Sequence, residues 1–431
     1  MMREKESQKW DRKTALPSVD FFPFSRFRHL SVHRLLRVLN SFFTFSIMRT
    51  VSKMVSDAFI SSAPVLKKAD EMTKDCDTVE EKIRAIYHYI QEHYRYLAVE
   101  FGIGRILPPS PDKVFDLQYG DCKGLSALMV SMLRSLGIKA YPALLRTRDE
   151  GELDGTYIAL SQFNHMIVYV EDKGKELWFD PTADNCAFLS LPWQDQGVKA
   201  LVVKPNNSCL ITTPTATARD NSIKTEWDVK LSADGKLIFQ VQNTVTGQEQ
   251  FLFRSALEQL SDKEQKDFLS QYVTHKFPRA QLTSYQGGNL NEKDAPLALS
   301  YQFETPVPEV GELLLFELPL QTEAVSFTQK ERTHPIIFDY PYSQIDEMKI
   351  HLPAGYTVEA LPEAVDVNTE FGTLKISLTE SQDTIIYCQE ISWDAKSISA
   401  SEYENLCRFQ QKIISTERQN IALKKSDIEP Q

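Results

Sequence analysis

A helical pattern lies between residues 78 and 97, where apolar residues recur every three or four positions. This spacing predicts an amphipathic helix of about five turns. Thr78-Val-Glu-Glu81 has the form of a capping box, so the helix is expected to begin just after Thr78. His88 and His93 fall largely off the apolar stripe, and we expect both to be solvated surface residues rather than ligands. The stripe consists of Ile83, Ile86, Tyr87, Ile90, Tyr94 and Leu97.

A second helical pattern starts immediately at Cys122. The three prolines in Leu107-Pro-Pro-Ser-Pro111 predict a loop at those residues rather than a helix. The apolar repeat predicts a helix that ends near Gly137, because glycine favours the position just after a helix. Cys122 is therefore expected in the first turn of this helix. Its apolar positions are Leu125, Leu128, Met129, Met132, Leu133 and Leu136.

Short apolar runs after this helix predict four strands, at residues 138–146, 163–171, 176–180 and 198–203. The second and third strands are separated by Asp172-Lys-Gly-Lys175, a short glycine-containing connection that is typical of a β-hairpin. Two strands joined in this way are expected to be antiparallel neighbours.

The pattern changes after Pro205. Residues 206–222 are predicted to be a linker, because this part of the chain is rich in Thr, Ala and Pro. Strands then dominate, and their number and the turn signals between them indicate a β-sandwich. Residues from about 248 to 276 are predicted to form a helical insertion, and 401–421 a final helix. The strands are expected at 224–231, 236–245, 297–304, 312–318, 347–352, 373–378 and 384–393.

Charge separates the first 50 residues from the rest. They hold ten Lys or Arg and four Asp or Glu, in a chain whose net charge is −11. We expect residues 1–50 to be an irregular, poorly ordered basic leader, since Arg interrupts every apolar stretch that could serve as a signal peptide. The alternative is a basic amphipathic helix at about 32–45 that contacts a membrane surface. Domains are thus expected at 51–205 and 223–431.

The composition excludes several classes of function. Apolar residues make up 42% and charged residues 25% of the 431 residues, as in ordinary globular proteins. The acidic balance gives no electrostatic footprint for nucleic acid. The six Cys form no CxxC pair, so neither a disulfide framework nor a structural zinc site is expected. No uninterrupted apolar window is long enough for a transmembrane segment.

Cys122 has the surroundings that a reactive thiol needs. The thiolate is the nucleophilic form of cysteine, and a helix N-terminus or a neighbouring cation stabilises it. Cys122 is predicted to have both, the cation being Lys123, and Gly120 and Gly124 flank it without side chains that block access. The alternative interpretation is a small buried hydrophobic residue.

His165 and Asp180 are the candidate partners of this thiol. His165 is the only His between Cys122 and His275, and it lies in a predicted strand. Asp180 follows on the antiparallel neighbour. A turn centred near 173–174 pairs the two positions approximately and brings their Cβ atoms to about 5 Å. Singly, either residue could be structural, but with Cys122 they fit the logic of a catalytic triad. A Cys/His/Asp metal site is the weaker alternative, because zinc sites usually contain local ligand pairs.

Three motifs in this region resemble, in order and spacing, those of transglutaminase-like domains in the papain-like cysteine protease superfamily. They are Tyr119-Gly-Asp-Cys-Lys-Gly124, Phe163-Asn-His165 and Leu177-Trp-Phe-Asp-Pro-Thr182. The resemblance covers roughly residues 51–203. It implies an α+β fold, in which helices pack on an antiparallel sheet and a β-sandwich-like domain of unknown function follows, as in bacterial members.

The resemblance also implies a role for each triad residue. Cys122 is the nucleophile, His165 the general base and acid, and Asp180 the residue that orients the imidazole. Such a triad supports thiol-dependent acyl transfer or hydrolysis at peptide, isopeptide or glutamine amide bonds through a thioester intermediate. We expect hydrolysis by a peptidase or amidase rather than protein cross-linking. The rival hypothesis is a catalytically silent scaffold that binds a peptide or an envelope component.

A triad of this kind also requires an oxyanion hole. We expect its donors to be the Cys122 backbone N–H and a group of Gln118 or Tyr119, with Lys123 supporting the thiolate. No cofactor and no metal are expected, and the expected partner is a peptide or protein substrate rather than nucleic acid. The resemblance favours a bacterial envelope or periplasmic location, and the lack of a visible export signal leaves the cytoplasm as the alternative.

Overall fold

The computed structural model describes residues 59, 61–98, 107–154, 159–205, 207–232, 235–306, 309–310, 312–318, 327, 329–381, 383–417 and 419–425. The predicted leader and its alternative amphipathic helix lie outside these residues. Within the described ranges, no helix is long and apolar enough to cross a membrane. The predicted α+β class is confirmed, because a helix-covered sheet is followed by a β-rich region.

The predicted capping box begins the second of the early helices. Thr78 Oγ1 accepts a hydrogen bond from the Glu81 N–H, and the Glu81 carboxylate accepts one from the Thr78 N–H at 2.9 Å. This helix ends at His93, about one turn earlier than expected. Leu97 therefore lies beyond the helix and is 51% exposed. The early helices are α1 (Ala63–Thr73), α2 (Val79–His93), α3 (Pro111–Leu117) and α4 (Cys122–Ser135).

A five-stranded antiparallel sheet carries these helices on one face. A short parallel pair, β1 (Arg95–Tyr96) and β2 (Tyr119–Gly120), precedes α4, and the strands of the sheet are β3 (Lys139–Leu145), β4 (His165–Asp172), β5 (Lys175–Phe179), β6 (Lys199–Val202) and β7 (Cys209–Thr212). Their order in the sheet is β5-β4-β3-β6-β7. Alternate residues of β4 pack against different layers: Met166 and Val168 join the core formed with α4, whereas Ile167 and Tyr169 join a smaller core on the other face.

Strand β7 differs from the sequence-based expectation, which placed it in the linker. Its four residues pair with β6 at the edge of the sheet. Cys209 and Ile211 pack against the smaller core, which explains why this segment is extended and ordered. The composition rich in Thr, Ala and Pro therefore marks a connection that is shorter than residues 206–222.

The β-rich region starts at residue 222 and contains two main sheets. The strands are β8 (Ser222–Leu231), β9 (Lys236–Val245), β10 (Gln281–Gln286), β11 (Leu297–Pro306), β12 (Glu309–Val310), β13 (Leu313–Glu317), β14 (Ile336–Ile337), β15 (Tyr342–His351), β16 (Tyr356–Ala360), β17 (Val365–Asn368), β18 (Gly372–Glu380), β19 (Thr384–Trp393), β20 (Ser397–Ile398) and β21 (Asn420–Lys425). An eight-stranded sheet has the order β10-β11-β9-β8-β15-β19-β18-β17, and within this sheet only the β8–β15 pair is parallel. A four-stranded sheet has the order β12-β13-β21-β16, and β14 pairs with β20.

Both main sheets share one apolar core. Val229 and Ile350 of the larger sheet meet Leu314 and Leu423 of the smaller one, as expected for two packed layers. Three helices complete this region: α5 (Gly247–Leu257) and α6 (Asp262–Lys276), where the helical insertion is predicted, and α7 (Tyr403–Glu417).

The end of the chain corrects the predicted final helix. The helix stops at Glu417, and strand β21 follows it. Hydrogen bonds to β13 on one side and β16 on the other hold β21 extended. The side chains of Ile421 and Leu423 are buried in the shared core. Tertiary pairing thus determines the conformation of a segment that the helical pattern alone assigned to a helix.

Asp294 joins the β-rich region to α2. Its Oδ1 accepts a hydrogen bond from the Phe188 N–H at 2.8 Å, and its Oδ2 lies 2.9 Å from His88 Nε2 and also bonds Arg84. The expectation that His88 is a solvated surface residue is therefore wrong, because His88 contacts another part of the fold. His93, by contrast, is exposed.

This contact shifts the pKa of both partners. Burial alone would lower the pKa of His88, but hydrogen bonds to Asp294 and Gln91 outweigh burial and raise it. Burial would likewise raise the pKa of Asp294, but His88, the Phe188 N–H and Arg84 hold it well below its usual range. The ion pair therefore persists across the pH range between the two values.

We expect Asp294→Asn to lower the free energy of unfolding by about 1 kcal/mol near pH 5.5 and by less near pH 8.5. The lowered pKa of Asp294 makes its contribution present above the unfolded carboxyl value of about 4. The raised pKa of His88 makes its contribution present below about 6.5 and lost as the pH rises through the raised value. Urea denaturation at both pH values measures the difference.

The matched control is Asp267→Asn, which removes the same charge from an exposed position of α6. It should change the free energy of unfolding little at either pH. A loss in Asp294→Asn that is the same at both pH values would contradict the contribution of His88.

Candidate active site

Cys122 is the first residue of α4. Asp121 caps the helix, because its Oδ1 accepts a hydrogen bond from the Gly124 N–H at 2.9 Å. The N–H groups in the first turn of a helix have no intrahelical partner, so negative charge is stabilised where the thiol lies. Cys122 itself is 8% exposed.

Gly124 serves the packing of this helix. A Cβ atom at this position would lie 3.0 Å from both Pro109 Cγ and Val114 Cγ2, which is closer than real Cβ contacts usually are. The missing side chain thus allows α3 and the proline-rich segment to lie against the start of α4. Packing explains this glycine better than access to the thiol does.

Ser126 fixes α4 to β4 one turn after Cys122. Its hydroxyl, which is fully buried, donates a hydrogen bond to the Met166 backbone oxygen at 2.9 Å. Residues four apart lie on the same helix face, so this bond holds Cys122 beside the start of β4. His165 is the first residue of β4, and Cys122 is one of the groups whose interaction with the imidazole raises its pKa.

The hairpin of β4 and β5 brings Asp180 to His165 in a register that differs from the expected one. Val168 pairs with Phe179, so Asp180 lies just beyond the ladder and opposite Ile167 rather than His165. Positions two apart on a strand share a face, which makes Asp180 a diagonal neighbour of His165. The distance from His165 Nε2 to Asp180 Oδ2 is 3.2 Å. This contact does not involve the other ring nitrogen, Nδ1.

The charges of the two residues support each other. Burial alone would lower the pKa of His165, but the Asp180 and Asp195 carboxyl groups and the hydrogen bonds to Asp180 and Cys122 raise it well above its ordinary value. Burial would raise the pKa of Asp180, but His165 and hydrogen bonds from Thr182 lower it. An imidazolium paired with a carboxylate is therefore the favoured state.

Neighbouring groups hold Asp180 in place. The Thr182 N–H and hydroxyl donate to its Oδ1 at 2.9 and 2.7 Å, which leaves Oδ2 for His165. The Tyr87 hydroxyl of α2 donates to the Asp180 backbone oxygen at 3.3 Å. Asp180 is 3% exposed, so its carboxylate meets protein groups rather than water.

A second carboxyl group, which the sequence analysis missed, lies beside His165. Asp195 Oδ2 is 3.8 Å from His165 Nε2, and Asp195 is 1% exposed. Burial raises the pKa of Asp195 well above its ordinary value, and the neighbouring Asp180 adds to this shift. Irregular chain separates Asp195 from Asp180, so neither spacing nor strand register marks it in the sequence.

The three supporting residues expected from the sequence lie near the thiol in different settings. Lys123 forms an ion pair with the helix-capping Asp121, so its charge is shared with a carboxylate. Gln118 ends α3 in the left-handed region, with a φ of 55°, and its side chain is exposed. Tyr119 is 39% exposed. The assignment of an oxyanion-hole donor to Gln118 or Tyr119 stays a prediction.

Among the described residues, His165, Asp180 and Asp195 form the cluster that could bind a metal ion, with one ligand atom of each within 4.8 Å of the others. Metal binding would require a deprotonated His165 Nε2. The same nitrogen is within hydrogen-bond distance of Asp180, and the raised pKa of His165 favours the protonated ring. We therefore interpret the cluster as hydrogen-bonded.

The family comparisons agree with the sequence-based resemblance. Residues 67–181 match the family model of the transglutaminase-like superfamily, a range that includes Cys122, His165 and Asp180. Residues 312–423 match a domain of unknown function with a solved structure, DUF3858. The chain thus contains a transglutaminase-like domain followed by a DUF3858 domain, and this prediction is confirmed. No curated protein matches the sequence.

Solved structures with a similar fold include a "putative protease" from Parabacteroides distasonis. It has 13% sequence identity and a TM-score of 0.56, and the match covers 88% of this chain and 58% of that chain. A "putative cysteine protease" from Cytophaga hutchinsonii has 18% identity and a TM-score of 0.23, with 30% of this chain and 42% of that chain covered. At this low sequence identity, the match to the Parabacteroides structure shows a shared fold only. The TM-score of the Cytophaga match is too low to show a shared fold.

We expect iodoacetamide to alkylate Cys122 near pH 8 in the native protein and to leave Cys186 unmodified. Cys186 is also buried close to Asp180, but burial raises its pKa to about 12, so its thiol stays protonated. Peptide-resolved mass spectrometry distinguishes the two sites.

Urea-denatured protein is the control, in which both cysteines should react. Equal protection of Cys122 and Cys186 in the native protein would contradict the view that the surroundings of Cys122 activate its thiol.

Proposed function

We propose that the transglutaminase-like domain is a thiol-dependent hydrolase or acyltransferase that acts on peptide or glutamine amide bonds. Cys122, His165 and Asp180 are its catalytic triad. One observation carries the proposal: the thiol at the start of α4 interacts with the His165 imidazole and raises its pKa, and Nε2 of that ring is 3.2 Å from a buried carboxylate. That arrangement is the general requirement for an activated nucleophile.

In this proposal the Cys122 thiolate attacks the amide carbonyl carbon. A carbon–sulfur bond forms, and the carbonyl oxygen becomes an oxyanion that helix N–H groups at Cys122 stabilise. The His165 imidazolium then donates its Nδ1 proton to the departing nitrogen, the carbon–nitrogen bond breaks, and an amine or ammonia leaves. The product of this half-reaction is a thioester on Cys122.

Water or an amine resolves the thioester in the second half-reaction. Neutral His165 accepts a proton from the attacking nucleophile, the carbon–sulfur bond breaks, and the thiolate and imidazolium are restored. Throughout, Asp180 keeps the imidazole oriented through Nε2 and stabilises its protonated form. We favour water as the acceptor and hence a peptidase or amidase, in line with the description of the Parabacteroides structure as a putative protease.

A catalytically silent scaffold is the second candidate. The observation that favours it is the 8% exposure of Cys122, because a nucleophile must be reached by its substrate. On this alternative the same fold binds a peptide without cleaving it.

Three parallel assays separate these functions. Release of fragments from fluorescein-labelled casein detects proteolysis, release of ammonia from a glutamine peptide detects deamidation, and incorporation of a fluorescent amine into casein detects transglutamination. Cys122→Ala should abolish whichever signal the native protein gives. Cys76→Ala is the matched control, since Cys76 is a partly exposed cysteine just beyond α1. No signal in any assay, or a signal that survives Cys122→Ala, would reject the enzyme.

We expect Asp180→Asn to lower turnover severely, by up to about 10⁴-fold as in serine-protease triads, because the amide cannot stabilise the imidazolium. The pH profile of Cys122 alkylation should also shift to higher pH, since a less stable imidazolium supports the thiolate less. Thermal unfolding checks that the variant folds.

Asp184→Asn is the matched control, because Asp184 is an exposed carboxyl group on the same segment. It should leave both turnover and the alkylation profile unchanged. Superimposable alkylation profiles for Asp180→Asn and the native protein would remove Asp180 from the mechanism and leave a Cys–His dyad.

A further inference from the structure

Asp195 is a buried carboxyl group that a Cys–His–Asp triad does not require. It lies in a short 3₁₀ turn at Trp193–Asp195. Its Oδ2 is 3.8 Å from His165 Nε2, is buried and has no hydrogen-bond partner among the described residues. An ionised oxygen in that position would be costly, so its protonation state needs an explanation.

The backbone around Asp195 is fixed independently of its side chain. The Thr213 hydroxyl donates to the Asp195 backbone oxygen at 2.5 Å. Gln248 of α5, which is 1% exposed, accepts a hydrogen bond from the Trp193 N–H at 2.9 Å and donates one to the Leu191 backbone oxygen at 2.8 Å. The β-rich region thus helps to hold the turn, and the carboxyl group is aimed at His165 by the fold.

The charges around Asp195 allow one ionised carboxylate beside the imidazolium, not two. His165, Asp180, Asp149 and Cys186 interact electrostatically with it. The cation His165 is already paired with Asp180, and the Arg148 guanidinium lies 5.9 Å from the ring of Trp193 in the same turn. One oxygen of Asp180 and one of Asp195 lie within 4.8 Å of each other, so two ionised carboxylates would repel at this buried site. A hydrogen bond between them requires that one carries a proton.

We propose that Asp195 is a neutral carboxylic acid that donates a hydrogen bond to the Asp180 carboxylate and so positions it against His165. The proton sits on the otherwise unpartnered side of Asp195, which gives that oxygen a partner. A neutral Asp195 also leaves the imidazolium paired with a single negative charge, so His165 can still release its proton to a leaving group. Asp195 is a positioning residue, and its role in turnover rests on the function proposed above.

The test compares two variants by Cys122 alkylation, which requires no substrate. Asp195→Asn keeps the shape and supplies an amide N–H in place of the O–H, so the pH profile of iodoacetamide labelling should stay within about twofold of the native rate. Asp195→Ala removes the donor, so labelling at neutral pH should slow about tenfold and its profile should shift to higher pH.

Each other outcome overturns the proposal. If Asn slows labelling as much as Ala does, an ionised carboxylate is needed at this position. If neither variant changes the profile, Asp195 has no positioning role. If EDTA changes labelling of the native protein and Asn abolishes that effect, Asp195 is a metal ligand instead.

Unfolding supplies a second measurement in case Asp195→Ala does not fold. A carboxyl group that keeps its proton in the native state, and loses it when unfolded, makes the native protein less stable as the pH rises above about 4. Asp195→Asn lacks this penalty. The free energy of unfolding of the variant should therefore rise relative to that of the native protein as the pH increases from about 4 to about 8. A constant difference across this range would overturn the proposal.

These measurements remain decisive if the proposed function fails. Cys122→Ala tests turnover in the three assays, whereas labelling and unfolding report only on the hydrogen bonds of the cluster. If the enzyme hypothesis is rejected, the labelling and unfolding results for Asp195 can therefore still be interpreted.

Discussion

The hydrogen bond from His165 Nε2 to the Asp180 carboxylate is buried, and the surrounding structure must supply partners for the other polar atoms of this pair. Removing both groups from water is costly, and their attraction compensates only when the remaining oxygens and nitrogens also have partners. The structure supplies these partners from several elements. Thr182 binds the second Asp180 oxygen, Tyr87 binds its backbone, and Cys122 interacts with the imidazole. The pair therefore depends on α2, α4 and the hairpin being in place together.

The two halves of the described chain are coupled through the same segments that carry the acids. Gln248 holds the turn that leads to Asp195, and Glu258 accepts a hydrogen bond from Asn185, a few residues after Asp180. Asp294 binds the Phe188 N–H in the same stretch. A long irregular segment between β5 and β6 has little regular hydrogen bonding of its own. Contacts with the β-rich region thus replace the secondary structure that this segment lacks.

The elements that could be predicted from the sequence are those that local physics determines. A capping residue and apolar periodicity placed Cys122 at a helix start, and the length of the hairpin brought Asp180 near His165. The length of the hairpin did not show that Asp180 lies just beyond the last strand pair. Asp180 is therefore two positions away from the predicted pairing with His165. Asp195 could not be found, because a tertiary packing of irregular chain brings it to the site. The final strand was missed for a similar reason, since pairing with two neighbours outweighs its local helical pattern.

His–carboxylate pairs alone do not identify a catalytic site in this protein. The described residues contain His88 with Asp294 at 2.9 Å and His351 with Asp228 at 2.9 Å, in addition to His165 with Asp180. The first joins two parts of the fold, and the second links neighbouring strands of the large sheet. Both pairs are partly exposed. Solvent therefore screens their charges and can bind polar atoms that the partner leaves unsatisfied.

The pair at His165 differs in what surrounds it. Its imidazole interacts with a carboxylate and a second carboxyl group, both close to Nε2, and with a thiol at a helix N-terminus. Proton positions at such a site are coupled, because moving one proton changes the charge felt by every other group. A purely structural pair gains nothing from that coupling, whereas a group that must accept and return a proton depends on it. The combination of burial, a neighbouring thiol and coupled protons therefore distinguishes His165 from the two other pairs and supports the function proposed for it.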